Sequence, residues 1–185
     1  VYPGYFYTPF ASISDDFLQN SVTCISPSKA FNIAGLQIAN IVCADELIKS
    51  KIDRAINDNE VCDVNPFGVI ATQAAYNEGE EWLTQLIEYL HNNYFYMKVF
   101  CQENLPMYPI ATLEGTYLVW MDCRAIGLSS EKLEQKLIDK AKLWLNAGTI
   151  YGTDGEGFMR WNIACPRATL KVGLERFTDF IHKLT

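Results

Sequence analysis

The feature that most constrains the fold is a short apolar run, residues 22–25, that stops at a proline and is followed at once by a lysine. The run is typical of a buried strand, and Pro27 ends it because proline cannot donate a hydrogen bond to a neighbouring strand. Lys29 is thereby placed on a loop at the carboxyl end of a strand, the edge at which open α/β sheets bind ligands. A lysine amine can lose its proton and form a Schiff base with an aldehyde, which arginine cannot do.

This Ser-x-x-Lys motif has two other interpretations. A serine acyl-enzyme with Ser26 as nucleophile would also need Ser-Asp-Asn and Lys-Thr-Gly motifs, and the sequence contains neither. A solvated surface lysine is the other alternative, and it stays open for an isolated motif of this length. The residues that follow Lys29 favour the Schiff-base role, because they resemble one family together with later segments.

Composition narrows the class of protein. The chain has 185 residues, of which 49% are hydrophobic and 20% charged, which suits one domain or a large domain with a small one. The net charge is −7 and there is no basic patch, so a nucleic-acid partner is not expected. The sequence shows no signal peptide, lipidation motif or long apolar span, so we expect a cytoplasmic protein without a membrane partner.

The six cysteines do not form a metal-binding or disulfide pattern. None lies in a Cys-x-x-Cys pair, and several fall inside apolar segments, which predicts buried reduced thiols. His91 and His182 lie within helical patterns and are interpreted as incidental. No metal site is expected.

Hydrophobic periodicity predicts strands and helices over most of the chain. Predicted strands cover 21–25, 35–42, part of 108–123 and 158–164, and predicted helices cover 44–57, 67–76, 78–99, 129–147 and the segment after Pro166. The near-continuous apolar run at 35–42 suits a parallel or mixed sheet covered on both faces. The glycine-rich segment 152–157 lacks the lysine and spacing of a phosphate loop and predicts a tight turn.

The predicted strand at 158–164 alternates in a way that separates two kinds of side chain. Met159, Trp161 and Ile163 share one face, and Arg160 and Asn162 share the other. A guanidinium fork matches a carboxylate with two parallel hydrogen bonds. A structural salt bridge is the alternative for Arg160, and the Arg-x-Asn pattern on one strand face favours a ligand-binding role.

Four segments together resemble the pyridoxal-phosphate (PLP) enzymes of fold type I, the class I/II aminotransferase superfamily, and most closely its cystathionine β-lyase branch. They are Ser-Pro-Ser-Lys-Ala-Phe-Asn-Ile-Ala-Gly-Leu (26–36), Ala-Ala-Tyr-Asn-Glu-Gly-Glu-Glu-Trp-Leu (74–83), Gly-Thr-Tyr-Leu-Val-Trp-Met-Asp-Cys-Arg (115–124) and Gly-Phe-Met-Arg-Trp-Asn-Ile-Ala-Cys-Pro-Arg (157–167). The segments span nearly the whole chain in the family's order. The resemblance implies the aspartate aminotransferase-like α/β fold.

The resemblance also implies roles for five residues. Lys29 would hold PLP as an internal aldimine and then move the substrate's α-proton, while Ser26 and, more weakly, Ser28 would bind the cofactor phosphate. Arg160 would clamp the α-carboxylate of a small amino-acid substrate, with Asn162 beside it. Lys29 and Arg160 would then face one cleft.

The implied activity is a carbon–sulfur β-lyase acting on cystathionine or cysteine-type amino acids, with an aminotransferase of small amino acids as the alternative. The lyase preference rests on the resemblance alone. The alternative from another class is a non-catalytic fragment that serves as a scaffold or partner module. Arg124 and Arg167 are interpreted as structural.

The resemblance also predicts the domain layout. Residues 1–76 would be the C-terminal part of the large PLP-binding domain, 77–99 a connector helix, and 100–185 a small α+β domain. The chain begins at Val1 without an initiator methionine and resembles the C-terminal half of such an enzyme, which would be a homodimer. One departure concerns phosphate binding, because Gln37 stands where many aminotransferases have an arginine eight positions after the lysine.

Overall fold

The computed structural model describes residues 1–184, which divide into two compact units. The first unit is Phe6–Leu86, and the second joins Val1–Tyr5 to the chain from Ile87 onward. Both units take residues from one long helix, Glu80–Asn104, which begins three residues after the start of the connector predicted at 77–99. The assignment of the chain to a large and a small domain stays a prediction.

The first unit is mainly helical with one two-stranded ribbon. Its elements are α1 (Asp15–Gln19), β1 (Thr23–Ile25), β2 (Asn40–Val42), α2 (Glu46–Asp58), α3 (Pro66–Glu78) and the start of α4 (Glu80–Asn104). The three shorter helices begin at side chains that accept a backbone N–H, namely those of Ser14, Asp45 and Asn65. These polar caps satisfy donors that would otherwise lack partners, which is why each helix begins where it does.

The second strand of this unit is shorter than the sequence predicted. Only residues from Asn40 onward form a strand, because the chain first makes a 3₁₀ turn at Ala34–Leu36 and then passes through a left-handed residue, Gln37, with φ of 50°. The ribbon is antiparallel, which is wrong for an all-parallel sheet and agrees with the mixed sheet that the sequence also allowed. The expected burial is wrong within residues 1–184, since Ile25 is 46% and Ile41 48% exposed.

The second unit is built on a three-stranded antiparallel sheet. Its further elements are β3 (Leu118–Asp122), α5 (Ser130–Lys136), β4 (Asn146–Ala147), β5 (Phe158–Asn162) and α6 (Arg167–His182). The strand order is β3-β5-β4, so β5 is paired on both edges. The alternation predicted for β5 is confirmed, because Met159 and Trp161 are buried while Arg160 is half-buried on the other face.

Helices α4 and α6 cover the buried face of this sheet. The helical spacing of apolar residues after Pro166 predicts that Leu170, Leu174, Phe177 and Ile181 face the core, and all four are buried. The fully buried members of this core are Met97, Val119, Met121, Cys123, Leu133, Leu137, Met159, Ile163, Leu174 and Phe177. A core of this composition gains stability mainly from apolar surface removed from water.

The helix predicted for 129–147 is wrong in its second half. The α-helix begins as predicted, with Ser129 accepting the N–H of Lys132, but it passes into a π-helical turn at Leu137–Ala141. Lys142 then adopts a left-handed φ of 52°, and Arg176 Nη1 donates to its carbonyl at 3.0 Å. Backbone pairing with β5 takes up the following residues as β4, so tertiary pairing overrides the local helical pattern.

A buried asparagine joins α4 to the chain that leaves β5. Asn93 is fully buried, and its Nδ2 donates to the carbonyls of Ile163 at 3.0 Å and Cys165 at 2.9 Å. Its Oδ1 accepts Arg167 Nε at 2.7 Å. Because all these bonds are made inside the protein, the burial cost of the amide is offset and the end of β5 is held against the helix.

None of the helices in residues 1–184 is long and apolar enough to cross a membrane.

All six cysteines are free, but they are not all buried. Cys101 and Cys123 lie in the core, and burial raises the pKa of each thiol to about 12. Cys24 and Cys62 are exposed, contrary to the expectation of burial, because the first unit does not enclose them.

We expect Gly148→Ala to destabilise the second unit, because a Cβ at this buried position would overlap the carbonyl oxygen of Gly155. The free energy of unfolding should fall by about 2 kcal/mol, as for other overpacked sites. Gly173→Ala is the control, since its Cβ would make ordinary contact with Trp161 and would gain helix propensity worth up to about 1 kcal/mol. Chemical denaturation measures the free energy of unfolding of both variants. Equal stability of the two variants would contradict the close approach of Gly148 to Gly155.

Candidate functional site

Lys29 lies on an exposed turn directly after β1. The turn is closed by backbone bonds from Phe31 N to Pro27 O at 2.9 Å and from Ile33 N to Ser28 O at 3.1 Å. Pro27 is buried, so the turn is anchored next to the lysine. No carboxylate in the described part of the chain forms an ion pair with the Lys29 ammonium. The amine is therefore available to a ligand.

Two serine hydroxyls hold the start of this turn. Ser26 Oγ lies 2.6 Å from Ile38 O and 2.6 Å from Ser28 Oγ, and it accepts Ser28 N at 3.2 Å. A carbonyl can only accept, so the single Ser26 proton goes to Ile38, and Ser28 must donate to Ser26. Ser26 is thus committed to holding the loop, whereas the Ser28 hydroxyl can turn to a ligand by giving up one bond.

An aromatic side chain anchors the far side of the turn. Phe31 stacks on Trp82, with ring centroids 5.8 Å apart and an interplanar angle of 23°, and meets Tyr76 edge to face at 6.3 Å. Gly79 has to be glycine here, because a Cβ would overlap the Phe31 ring. The lysine turn is therefore fixed by packing against α3 and the start of α4.

Arg160 lies at the centre of the three-stranded sheet, opposite Trp120 of β3 and Asn146 of β4. Its Nη2 donates to Asn146 Oδ1 at 2.9 Å, and its Cζ lies 4.7 Å from the centroid of the Tyr151 ring. Its Nε is buried and has no hydrogen-bond partner among the described residues. No described carboxylate pairs with this guanidinium.

Asn162 is exposed two residues further along the same face. Its Oδ1 accepts the backbone N–H of Ala164 at 2.9 Å, which uses the acceptor end of the amide locally. The amide nitrogen remains as a donor on the face that carries Arg160.

The two arginines interpreted as structural differ from Arg160 in their partners. Arg124 forms a fork with the Asp122 carboxylate, with Nη2 at 2.6 Å and Nε at 3.0 Å, and this ion pair lowers the pKa of Asp122. Arg167 donates to Asn93 and lies 4.8 Å over the Tyr96 ring at the start of α6. Both contacts agree with roles in holding the fold.

The predicted site residues form two groups. Ser26, Ser28 and Lys29 lie on one turn of the first unit, and Arg160 and Asn162 lie on one strand of the second. The sequence prediction missed Asn146 and Tyr151, the two partners of Arg160. Asn146 was hidden inside the predicted helix, and the cluster of glycines around Tyr151 indicated only a turn.

This arrangement can perform two kinds of chemistry. The first group offers an unpaired amine beside hydroxyl donors, which suits a carbonyl compound that carries an anionic group. The second group offers an unneutralised guanidinium, which suits a carboxylate. Within residues 1–184, no group of three or more His, Cys, Asp or Glu side chains is placed to hold a metal ion.

Comparison with known proteins supplies an independent view of the chain. The model of the family described as "Aminotransferase class I and II" matches residues 5–177. The chain is 44% identical over 173 residues to cystathionine β-lyase PatB of Bacillus subtilis. This alignment covers 94% of the chain and 45% of PatB. The chain therefore spans about half the length of the curated relatives it matches.

Two solved structures are similar over nearly the whole chain. Cystalysin from Treponema denticola, which contains a pyridoxal 5'-phosphate cofactor, superposes with a TM-score of 0.96 at 31% identity, covering 100% of this chain and 47% of that one. The PLP-bound C–S lyase of Staphylococcus hominis superposes with a TM-score of 0.86 at 33% identity, covering 97% of this chain and 44% of that one. The fold predicted from the sequence, of the aspartate aminotransferase type, is confirmed.

We expect Ser26→Ala to loosen the lysine turn, because it removes the donor to Ile38 O and the acceptor for Ser28 N together. Amide hydrogen exchange over residues 28–33 should accelerate by roughly tenfold, the equivalent of one or two lost hydrogen bonds. Ser28→Ala should have a smaller effect, since it removes only the bond to Ser26. Ser50→Ala on the exposed face of α2 is the control, and equal exchange in all three variants would contradict the anchoring role.

Proposed function

The chain belongs to the aminotransferase class I and II family, and on that basis we propose that it works as a PLP-dependent carbon–sulfur β-lyase on cystathionine or related cysteine-type amino acids. The similarity to a cystathionine β-lyase over 94% of the chain supports the reaction type. The observation that carries the proposal is Arg160, a guanidinium without a carboxylate partner whose buried Nε lacks any hydrogen bond within the described residues.

The lysine turn fits PLP by its donors. Lys29 presents an amine without an ion-pair partner among the described residues, and Ser28 presents a hydroxyl that one rotation can redirect. An amine can hold the aldehyde carbon of the cofactor covalently, and hydroxyls bind phosphate oxygens. Ser26 would support this site by holding Ser28 and the loop. Gln37 offers no charge to the phosphate, so hydroxyl and backbone donors of this turn carry more of its binding.

PLP, when bound, supplies an electron sink that stabilises negative charge at the substrate's α-carbon. Lys29 would bind the cofactor at rest, and its amine, once free, would move the proton of the substrate's α-carbon. Arg160 would hold the α-carboxylate through two parallel hydrogen bonds and so fix the direction of the Cα–H bond. The amide nitrogen of Asn162 would add a donor on the same face.

A sulfur substituent on the β-carbon decides the outcome, because it can leave as a thiolate. After the α-proton is removed, the Cβ–S bond breaks with its electron pair on sulfur, and uptake of water releases the amino group. The products are a thiol, pyruvate and ammonia. In this reaction Lys29 would move the α-proton and Arg160 would hold the α-carboxylate.

An aminotransferase acting on small amino acids is the second candidate, and the family match favours it as a class. The same residues would bind the substrate, and the proton would return without loss of a β substituent. Release of pyruvate and ammonia from cystathionine without a keto-acid acceptor supports the lyase. Dependence on a keto acid supports the aminotransferase. Assembly as a homodimer and a cytoplasmic location stay predictions of the family resemblance.

We expect Lys29→Ala to abolish the long-wavelength absorbance of lysine-bound PLP and the release of pyruvate from cystathionine. Lys49→Ala is the control, because Lys49 is an exposed lysine of the same unit that pairs with Glu46 at 3.3 Å. Absorption spectra of the purified protein after PLP is added measure the first effect. Protein that takes up no PLP even with Lys29 intact would favour the scaffold alternative, and a retained band in Lys29→Ala would overturn the assignment.

We expect Arg160→Ala to raise KM for cystathionine at least about tenfold, the effect of losing one hydrogen bond between charged groups. Arg124→Ala is the matched control in the same unit, since its exposed guanidinium already pairs with Asp122 and its loss should change KM by less than about fivefold. Steady-state kinetics on both variants measure the difference. An unchanged KM in Arg160→Ala would remove the carboxylate clamp from the proposal.

A further inference from the structure

The partners of Arg160 are all electrically neutral. Its Nη2 donates to the amide oxygen of Asn146 at 2.9 Å, and the Tyr151 ring lies below its Cζ at 4.7 Å. An amide oxygen and an aromatic face both orient a guanidinium and attract it weakly, but neither cancels its charge. The charge of Arg160 thus remains for a ligand.

Arg124, in the same unit, shows the opposite arrangement. Its guanidinium is forked onto the Asp122 carboxylate, which neutralises it. A guanidinium that serves only the fold gains from such a partner, whereas one that must bind an incoming carboxylate would have to give it up first. The two arginines differ in the side chain that accepts from the guanidinium. Arg160 donates to the neutral amide of Asn146, and Arg124 donates to the carboxylate of Asp122.

We propose that Asn146 and Tyr151 are positioning residues that hold the Arg160 guanidinium in one orientation while leaving its charge for the substrate's α-carboxylate. This inference rests on the proposed function, since it takes Arg160 to be the carboxylate clamp. Neither residue touches the reacting atoms, so both act through Arg160. Nη2 has two N–H groups and its bond to Asn146 uses one of them, so the guanidinium keeps further donors for the ligand, among them the unpartnered Nε.

The backbone brings the two residues to Arg160 by separate routes. Asn146 pairs with Arg160 in the register of β4 and β5. Tyr151 ends the 3₁₀ turn Gly148–Tyr151, which is held close to the next turn because Gly148 and Gly155 approach without side chains. Trp120 meets the Tyr151 ring edge to face, with centroids 5.5 Å apart and an interplanar angle of 82°. The Tyr151 ring is therefore in contact with both Trp120 and Arg160.

Two probes separate carboxylate recognition from general damage. L-Alanine carries the amine and the α-carboxylate but no leaving group, and ethylamine is the same molecule without the carboxylate. Binding of each to the PLP-loaded protein, expressed from its complete gene, is followed by the change in cofactor absorbance. The ratio of the two half-saturating concentrations then reports what the carboxylate contributes.

Asn146→Asp gives the sharper test, because it places a carboxylate where the amide oxygen now accepts from Nη2. This group would pair with Arg160 and compete with the ligand, so L-alanine should bind at least about tenfold more weakly. Ethylamine binding should stay within about twofold, since no carboxylate is involved. Equal weakening of both probes, or no weakening of L-alanine, would overturn the role of Asn146.

Tyr151→Leu and Tyr151→Phe test the aromatic face. Loss of the ring should weaken L-alanine binding about two- to fivefold without affecting ethylamine, the size of an exposed cation–π contact. The phenylalanine variant keeps the ring and should bind both probes as the parent protein does. Tyr151 is 49% exposed, so neither variant should unfold the protein, and a thermal melt checks this. If Tyr151→Leu and Tyr151→Phe bind L-alanine equally well, the role of the Tyr151 ring is overturned.

Arg160→Ala separates this inference from the function on which it rests. If Arg160→Ala leaves the ratio of L-alanine to ethylamine binding unchanged, the carboxylate clamp itself is wrong, and the positioning role falls with it. If Arg160→Ala lowers L-alanine binding but Asn146→Asp and Tyr151→Leu do not, the clamp stands and the positioning role is overturned. If all three variants bind L-alanine more weakly and bind ethylamine as before, both the carboxylate clamp and the positioning role are supported.

Discussion

Backbone pairing along β5 is the constraint on which the second unit depends. The strand is paired on both edges, with β3 placing Trp120 and β4 placing Asn146 opposite Arg160. Because side chains alternate along a strand, the burial of Met159 and Trp161 in the core forces Arg160 to the opposite face. A slip of one residue would bury the guanidinium and expose the core, so the apolar packing that stabilises the unit also keeps Arg160 outside.

The lysine turn reaches its shape by different means. Within residues 1–184 the two strands of its ribbon are largely exposed, so no buried sheet supports the turn in this part of the chain. A short hydrogen bond from Ser26 Oγ to Ile38 O and the stacking of Phe31 on Trp82 hold the turn instead. The amine of Lys29 is left without an ion-pair partner among residues 1–184, which a covalent role requires. The two groups of site residues thus depend on different interactions, pairing in one unit and local bonding in the other.

Patterns governed by nearby residues were predicted well. The alternation over 158–164 and the apolar stripe of α6 both follow from which side faces the core, and the structure confirms them. The helix predicted over 129–147 was wrong beyond the π-helical turn that ends at Ala141, although Leu133, Leu137 and Leu145 keep a helical spacing and are buried. Pairing of Asn146 with Arg160 competes with the last turns of that helix and prevails, and no local signal in the sequence reports it.

The sequence by itself determined the lysine motif, the face of β5 that carries Arg160 and the family, because these follow from residue type, short-range spacing and the order of four segments. The family resemblance in turn predicted the fold of this chain, which is similar to the folds of its relatives. Only the tertiary structure decided the partners of those residues. That Arg160 is held by an amide and a ring rather than a carboxylate, and that Ser26 is committed to Ile38, depends on contacts between residues nine to fourteen positions apart in the chain. Such contacts are set by turns and strand register, which the packing of the whole unit selects.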